Sequence, residues 1–419
     1  MSAPRTTPWP LVALFTAGYL APYLLPTTVG RLDSGLPLTA TQAGAVGSAL
    51  LLGSATAGFL LASRVERIGA RLLARLGLTL ALLGYGGAAL TTAVPAVVAG
   101  AVIGGFGSGT ITAVAATGIA AQRDPHRTTT VGLLGVSALA AALCLTIPHL
   151  GPGHAQPLAA IALTALAVWP LTSRLPVRTA APAHPRRAPA ARLPQLRAGL
   201  LLAAAMPCWS LAQNALWGVS GRIGLTQAHL SESAVGAVFA VALVAGLLGV
   251  TGAGAIGPRF GRTAPIGAGT VLIAGCIALS ASATGLTSFA AGEIAWNAFY
   301  PIVLSYLIGL AASLDPQGRW AVLVGSASSL GTAAGPLTGS VLAAQAGFPV
   351  MGAVLAAGLL VIAVPMTVVA RSAGRRTLPV VEVPVESPAV VEIPVQSPAV
   401  VEIPVQSPAP LAHETTPAA

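Results

Sequence analysis

One glutamate, Glu293, lies inside an otherwise apolar stretch that runs from Ser288 to Ala312. Asn297 and Tyr300 follow it by four and seven residues, so the three side chains would share one face of a helix. The stretch is long enough to cross a bilayer as a helix. An ionisable group is costly at membrane depth, so Glu293 is expected to face the protein interior or a watery cavity. Such a carboxyl could exchange a proton or anchor a cationic or hydroxylated ligand.

The composition places this stretch in a membrane protein. Hydrophobic residues make up 55% of the 419-residue chain and charged residues only 8%, whereas soluble proteins carry roughly 25% charged residues. No C-x-x-C spacing, metal-spaced histidine cluster, nucleophile elbow or phosphate-binding loop occurs in the sequence. The sequence therefore predicts no metal, no cofactor and no enzymatic activity.

Twelve apolar runs bounded by arginine, proline or polar clusters predict an all-α bundle of twelve transmembrane helices. An open sheet is excluded because its edges cannot face lipid. The runs form two groups of six, in segments 1–173 and 198–370, which are joined by a flexible linker at 174–197. Segment 371–419 repeats a proline-rich decapeptide and is expected to be disordered. The predicted spans are 9–29, 41–62, 72–93, 95–120, 129–148, 157–173, 198–219, 233–256, 264–284, 286–312, 320–344 and 348–370.

The arginine positions fix the expected orientation. If the N-terminus lies inside, only Arg31 and Arg222 of the 21 basic residues fall on the outer side. This asymmetry follows the positive-inside rule, and it predicts cytoplasmic termini in a bacterial cytoplasmic membrane. The net charge of +10 is then explained by topology and contact with the lipid bilayer, and nucleic-acid binding is not expected.

The two halves repeat each other at an offset of 191 or 192 residues. Four landmarks match in order: 30–32 with 221–223, 44–46 with 236–238, 67–69 with 259–261, and 124–125 with 315–316. Six spans return the chain to its starting side, so the copies would be parallel, with a substrate site at their interface near the bilayer midplane. The same offset pairs Glu293 with Ala101.

Two loops carry a resemblance to the major facilitator superfamily that covers roughly residues 9–370. The stretches ASRVERIGAR (62–71) and GAIGPRFGRT (254–263) are similar to the family's loop between its second and third helices and to the repeat of that loop. The resemblance implies a cytoplasmic gate formed by Glu66, Arg67, Gly69, Arg71, Arg259, Gly261 and Arg262. It also implies a central substrate or proton site formed by Glu293, Asn297, Tyr300, Gln213, Asn214, Tyr19 and Tyr23.

The resemblance further implies secondary active transport by a monomer. Proton-coupled efflux of a small molecule is the leading hypothesis, although the family's antiporter motif has no clean match in the fifth span, which contains GLLGVSALAAALCLTIPHLG. Proton-coupled or facilitated uptake is the alternative, and a non-transporting receptor or scaffold is a third. Tyr85 is interpreted as a packing residue. Four tryptophans near span ends are interpreted as membrane-interface anchors: Trp9, Trp169, Trp217 and Trp320.

Overall fold

The computed structural model describes residues 8–175, 193–256, 261–315 and 318–376, and these ranges are helical apart from short connections. The predicted linker therefore lies mostly outside the described residues, as does the tail from residue 377 onward. The helices are α1 Trp9–Tyr23, α2 Leu25–Gly35, α3 Ala40–Leu61, α4 Val65–Ile68, α5 Ala70–Ala89, α6 Val94–Ala120, α7 Pro125–Thr146, α8 Ala155–Val168, α9 Leu196–Arg222, α10 Glu232–Ile256, α11 Thr263–Ala281, α12 Leu286–Ser313 and α13 Arg319–Arg376.

The prediction of an all-α membrane protein is confirmed. Within the described ranges, ten helical segments are long and apolar enough to cross a bilayer, and the count becomes eleven if the bent pair α1–α2 is one span. The last helix, α13, has 58 residues and a break at Gly347, where φ is 80°. This helix continues through Arg376, six residues beyond the predicted span boundary at 370.

Successive spans reverse direction, which gives the bundle two distinct ends. One end holds the connections at 62–69, 121–124 and 314–318 and every described arginine except Arg31 and Arg222. We call it the basic end. The opposite end holds the connections at 36–39, 90–93 and 282–285, and we call it the far end.

The first span is broken, whereas the sequence predicted one straight helix over 9–29. Helices α1 and α2 meet at Leu24 with a bend of 48°. Pro26 lacks the backbone N–H that would bond to the carbonyl of Pro22 four residues earlier. The Pro22 carbonyl is therefore left open to a partner from outside the helix.

Glycines allow close helix contact in both halves. A Cβ atom added to Gly105 or Gly109 of α6 would collide with a carbonyl oxygen of α3. In the other half, a Cβ on Gly331 of α13 would collide with the carbonyl of Pro207 in α9. Backbones that approach this closely require small residues, so these glycines allow α6 to pack on α3 and α13 to pack on α9.

One pair of repeat landmarks has the same structural role in both halves. The Asp124 side chain accepts a hydrogen bond from the backbone N–H of Arg127 at the start of α7, at 3.0 Å. Asp315 accepts one from the backbone N–H of Arg319 at the start of α13, at 3.2 Å. Each aspartate thus caps the first turn of a helix at the basic end.

The interpretation of the tryptophans as interface anchors is wrong for two of the four. Trp9 is exposed, and Trp169 is partly exposed beneath the guanidinium of Arg75. Trp217 and Trp320, in contrast, are only 7% and 1% exposed. Trp320 donates a hydrogen bond to the carbonyl of Pro194, and Trp217 belongs to the site described below.

Candidate functional site

The Glu293 carboxyl is completely buried among three helices of the second half. Its Oε1 atom accepts hydrogen bonds from Ser220 of α9 at 2.7 Å and from Ser280 of α11 at 2.6 Å. Its Oε2 atom is buried and has no hydrogen-bond partner among the residues that the structure describes. Glu293 forms no ion pair with any residue in the described ranges. One oxygen is therefore stabilised by two hydroxyl donors, and the other is free to carry a proton.

Helices α9 and α12 run antiparallel, and three pairs of side chains connect them. Trp209 stacks on Tyr300 with ring centroids 5.3 Å apart. One turn away, the indole N–H of Trp296 donates a hydrogen bond to Oε1 of Gln213. Further toward the far end, the hydroxyl of Ser220 donates to Glu293. The pairs form a continuous connection from the buried carboxyl to mid-depth.

Aromatic side chains from both halves meet at mid-depth. Tyr19 and Tyr23 lie on α1 with Pro22, whose carbonyl accepts the hydrogen bond of Trp217. Trp217 in turn lies 5.5 Å from Trp296, which lies 5.8 Å from Tyr300 of α12. These three tyrosines are partly exposed, whereas Trp209 and Trp296 behind Tyr300 are buried. We call these five side chains the aromatic cluster.

The remaining predicted site residues, Asn297, Asn214 and Gln213, each have a different hydrogen-bond partner. The side-chain amide of Asn297 donates a hydrogen bond to the backbone carbonyl of Glu293, one turn earlier in α12, at 3.0 Å. Asn214 bonds to the carbonyl of Ser210 and, at 3.3 Å, to the hydroxyl of Thr332 on α13. These bonds hold Asn214 at the packing contact between α9 and α13. Gln213, its neighbour in sequence, instead contacts Trp296.

The predicted gate residues lie at the basic end, with different environments. Glu66 and Arg67 are exposed and form no side-chain hydrogen bond with another described residue. Gly69 has a φ of 105°, which glycine adopts readily. Arg71 donates to the carbonyl of Leu175 at 2.6 Å and thereby fixes the start of α5 to the end of the sixth span.

In the second copy of this loop, Gly261 has a φ of 62° and Arg262 is exposed. Arg259 lies outside the described residues. The second copy thus repeats the left-handed glycine of the first, where the side chain of an ordinary residue would be strained.

The described hydrogen bonds between the halves lie from mid-depth to the far end. Arg31 forms an ion pair with Glu232 at 2.6 Å and also donates to the carbonyl of Gly151. The indole of Trp217 donates to the carbonyl of Pro22 at 3.0 Å. The backbone N–H of Leu337 in α13 donates to the hydroxyl of Ser48 in α3. A cavity of about 40 Å³ lined by both halves remains beside Arg31.

Sequence reasoning missed several residues of this site. Trp209 and Trp217 lie four residues before and four residues after the predicted Gln213 in α9, and this spacing could have identified one polar and aromatic helix face. Ser220 and Ser280 carried no comparable signal, because serines in apolar spans more often bond to their own helix. Within the described residues, no group of three or more histidine, cysteine, aspartate or glutamate side chains could hold a metal ion.

Solved transporter structures share this fold. The human organic anion transporter MFSD10 (TETRAN) is 17% identical, with a TM-score of 0.64 over 87% of this chain and 100% of that one. The D-xylose–proton symporter is 15% identical, with a TM-score of 0.66 over 85% and 95%. A bacterial homologue of the human lysosomal transporter Spinster, inward-facing and unoccupied, is 16% identical, with a TM-score of 0.60 over 88% and 95%.

No family model and no curated protein matches the sequence. At identities of 14–17% the structural likeness defines the fold alone. This chain therefore shares the fold of these transporters, which is the kind of fold that the resemblance to the major facilitator superfamily implied.

Proposed function

We propose that this protein is a proton-coupled secondary transporter that exports a small organic molecule across a bacterial cytoplasmic membrane by alternating access. The observation that carries the proposal is the buried Glu293 carboxyl, which has two hydroxyl donors on one oxygen and a free second oxygen. Intramembrane carboxyls of this kind serve proton transfer in transporters. The protein is proposed to act as a monomer and without enzymatic activity.

The proposed topology has twelve spans and cytoplasmic termini. Helices α1 and α2 together count as one bent span. At about 1.5 Å per residue, α13 would extend roughly 87 Å, nearly three times the thickness of a bilayer core. The break at Gly347 supports its division into two spans. The arginines at the basic end support a cytoplasmic location for that end.

In the proposed mechanism, protonation of Glu293 controls the packing of α9 against α12. The neutral acid fits its apolar surroundings, and Ser220 and Ser280 hold one of its oxygens in place. Loss of the proton leaves a buried charge without a cationic partner, which is strongly destabilising. The helices would then rearrange, and the pairs Gln213–Trp296 and Trp209–Tyr300 would transmit the change to mid-depth.

We propose that this conformation is closed at the far end. The ion pair Arg31–Glu232 and the Trp217–Pro22 hydrogen bond hold the halves together on the far side. At the basic end, Glu66 and Arg67 are free to pair in the opposite conformation, which is the role that we propose for them. Arg259, Gly261 and Arg262 would form the equivalent loop of the second half.

A transport assay tests the proposal. Purified protein in liposomes that contain a pH-sensitive dye is exposed to a panel of small organic compounds. Export predicts that a transported compound moves protons in the direction opposite to its own movement. Uptake by symport, the activity named for the D-xylose–proton symporter that shares the fold, would move both in the same direction. No proton movement with any transported compound would contradict the proposal.

A further inference from the structure

The aromatic cluster and the neighbouring Gln213 carry two unpaired hydrogen-bond donors, and this bears on the chemistry of the substrate. The indole N–H of Trp209 and the side-chain N–H₂ group of Gln213 are both buried and have no acceptor among the described residues. They lie four residues apart, on one face of α9. A buried polar group without a partner is costly, so an acceptor supplied by a ligand would stabilise this arrangement.

Flat aromatic rings lie on the helices that carry these donors and on α1. Trp209 and Tyr300 are stacked with an angle of only 13° between their rings. Trp296 lies 5.8 Å from Tyr300, and on α1 the rings of Phe15 and Tyr19 lie 4.5 Å apart. Aromatic side chains arranged in this way favour a planar ligand, which can stack against their faces.

Within the described ranges, no acidic residue is placed to form an ion pair with a cationic substrate at the aromatic cluster. Glu293 is completely buried and already holds two hydroxyl groups. The other described acids lie near helix ends, away from mid-depth: Asp33, Glu66, Asp124, Glu232 and Asp315. A cation at the aromatic cluster would therefore be held by ring faces alone, and it would leave both donors unused.

We propose that the substrate is a planar aromatic molecule without positive charge that carries a hydrogen-bond acceptor such as a carbonyl oxygen. It binds between the tyrosines of α1 and the aromatic side chains of α9 and α12, and its acceptor bonds to Trp209 or Gln213. The proposal rests on the proposed transport function and specifies the substrate of the same site.

Equilibrium dialysis of the full chain in lipid nanodiscs, corrected for empty nanodiscs, tests the substrate class. The probes are coumarin, which is planar and has a carbonyl acceptor, naphthalene, which is planar without an acceptor, and the cation tetraphenylphosphonium. Coumarin is expected to bind saturably and more tightly than either of the others. Equal binding of coumarin and naphthalene, or tighter binding of tetraphenylphosphonium, would overturn the proposal.

Variants locate the binding. Trp209→Phe keeps a ring but removes the N–H, and Gln213→Leu removes the amide. The variant that removes the donor to the ligand is expected to weaken coumarin binding roughly two- to tenfold, which corresponds to one hydrogen bond, without changing naphthalene binding. Tyr85→Phe is the matched control, because Tyr85 is buried in the first half and bonds to Ser108. An unchanged coumarin affinity in both variants contradicts the proposal.

The two proposals fail in different ways. Proton-coupled transport of other compounds, together with no preference for coumarin over naphthalene, contradicts the substrate class alone. Preferential coumarin binding that depends on Trp209, together with transport that moves no protons, supports the substrate class and contradicts the proton coupling.

Discussion

Trp217 of the second half donates a hydrogen bond from its indole nitrogen to the carbonyl oxygen of Pro22 in the first half, at 3.0 Å. The acceptor is free because Pro26 has no N–H to bond to it. The two prolines thus break the first span and also provide a polar attachment point for the other half. Its donor, Trp217, lies on α9 together with Gln213 and Ser220, the two residues that link α9 to α12.

Removing this hydrogen bond is expected to loosen the far end. Trp217→Phe retains an aromatic ring but removes the donor. The lost hydrogen bond corresponds to a free energy of roughly 0.5–1.5 kcal/mol. Cys144 provides a native reporter because it is buried and lines the far-end cavity between the halves. In a background without Cys208 and Cys276, its labelling rate with N-ethylmaleimide should rise roughly two- to tenfold.

The exposed Trp9 offers a control for the labelling experiment. Trp9→Phe should leave the rate at Cys144 unchanged. If Trp217→Phe also leaves it unchanged, the hydrogen bond does not help to close the far end.

In the ion pair Arg31–Glu232, replacing Arg31 is expected to loosen the far end more than replacing Glu232. Arg31 is buried and also bonds to the Gly151 carbonyl, whereas the Glu232 side chain is 42% exposed. Glu232→Gln should therefore raise Cys144 labelling modestly, because a half-exposed pair is worth less than about 1 kcal/mol. Arg31→Leu should raise it more, since it also removes the hydrogen bonds that Arg31 donates to the Gly151 and Ile147 carbonyls.

Salt provides the check on this ion pair. High ionic strength should increase labelling of the unaltered chain but not of Glu232→Gln, because screening weakens exposed pairs. Asp124→Asn at the basic end keeps a residue suited to capping and serves as control. Equal salt dependence in Glu232→Gln and the parent would argue against the ion pair as a far-end contact.

The sequence predicted the fold and only part of the site. Hydropathy was sufficient for the all-α membrane fold, because lipid requires long apolar helices. Glu293 was identifiable for the same reason, since a charge is conspicuous in an apolar run. The break at Leu24 was missed although Pro22 and Pro26 are visible in the sequence and a proline inside a helix bends or breaks it.

Other contacts could not be predicted from the spacing of residues within one span. Ser220 and Ser280 bind the same carboxylate oxygen from helices that lie 60 residues apart in sequence. Trp320 is near a predicted span end but packs against Gly199, whose missing side chain provides the space. Such pairings depend on helix packing, which spacing within a single span does not encode.

The two serine donors should stabilise the fold through Glu293. Ser220→Ala and Ser280→Ala each remove one hydrogen bond to a buried oxygen and should lower the free energy of unfolding by about 1–2 kcal/mol. Ser305→Ala is the control, because Ser305 is an exposed residue of α12 that bonds within its own helix. A double-mutant cycle with Glu293→Gln should show coupling. Additive effects would contradict the shared site.

Helix contacts in the first half predict a contrast between two glycines. Gly109→Ala should destabilise the protein by about 1–3 kcal/mol, because its new methyl group would meet the Ser54 carbonyl of α3. Gly58→Ala has open space and should change stability little or raise it slightly. Thermal unfolding in detergent measures both. Equal effects would show that α3 and α6 pack less closely than described.

The central claim is that Glu293 carries the proton that drives transport, and one measurement tests it most directly. Liposomes containing either the unaltered chain or Glu293→Gln receive a pH gradient and a compound identified in the transport screen. The account predicts that Glu293→Gln exchanges the compound down its own gradient but no longer accumulates it against that gradient. Full pH-driven accumulation by a correctly folded Glu293→Gln protein would contradict the account.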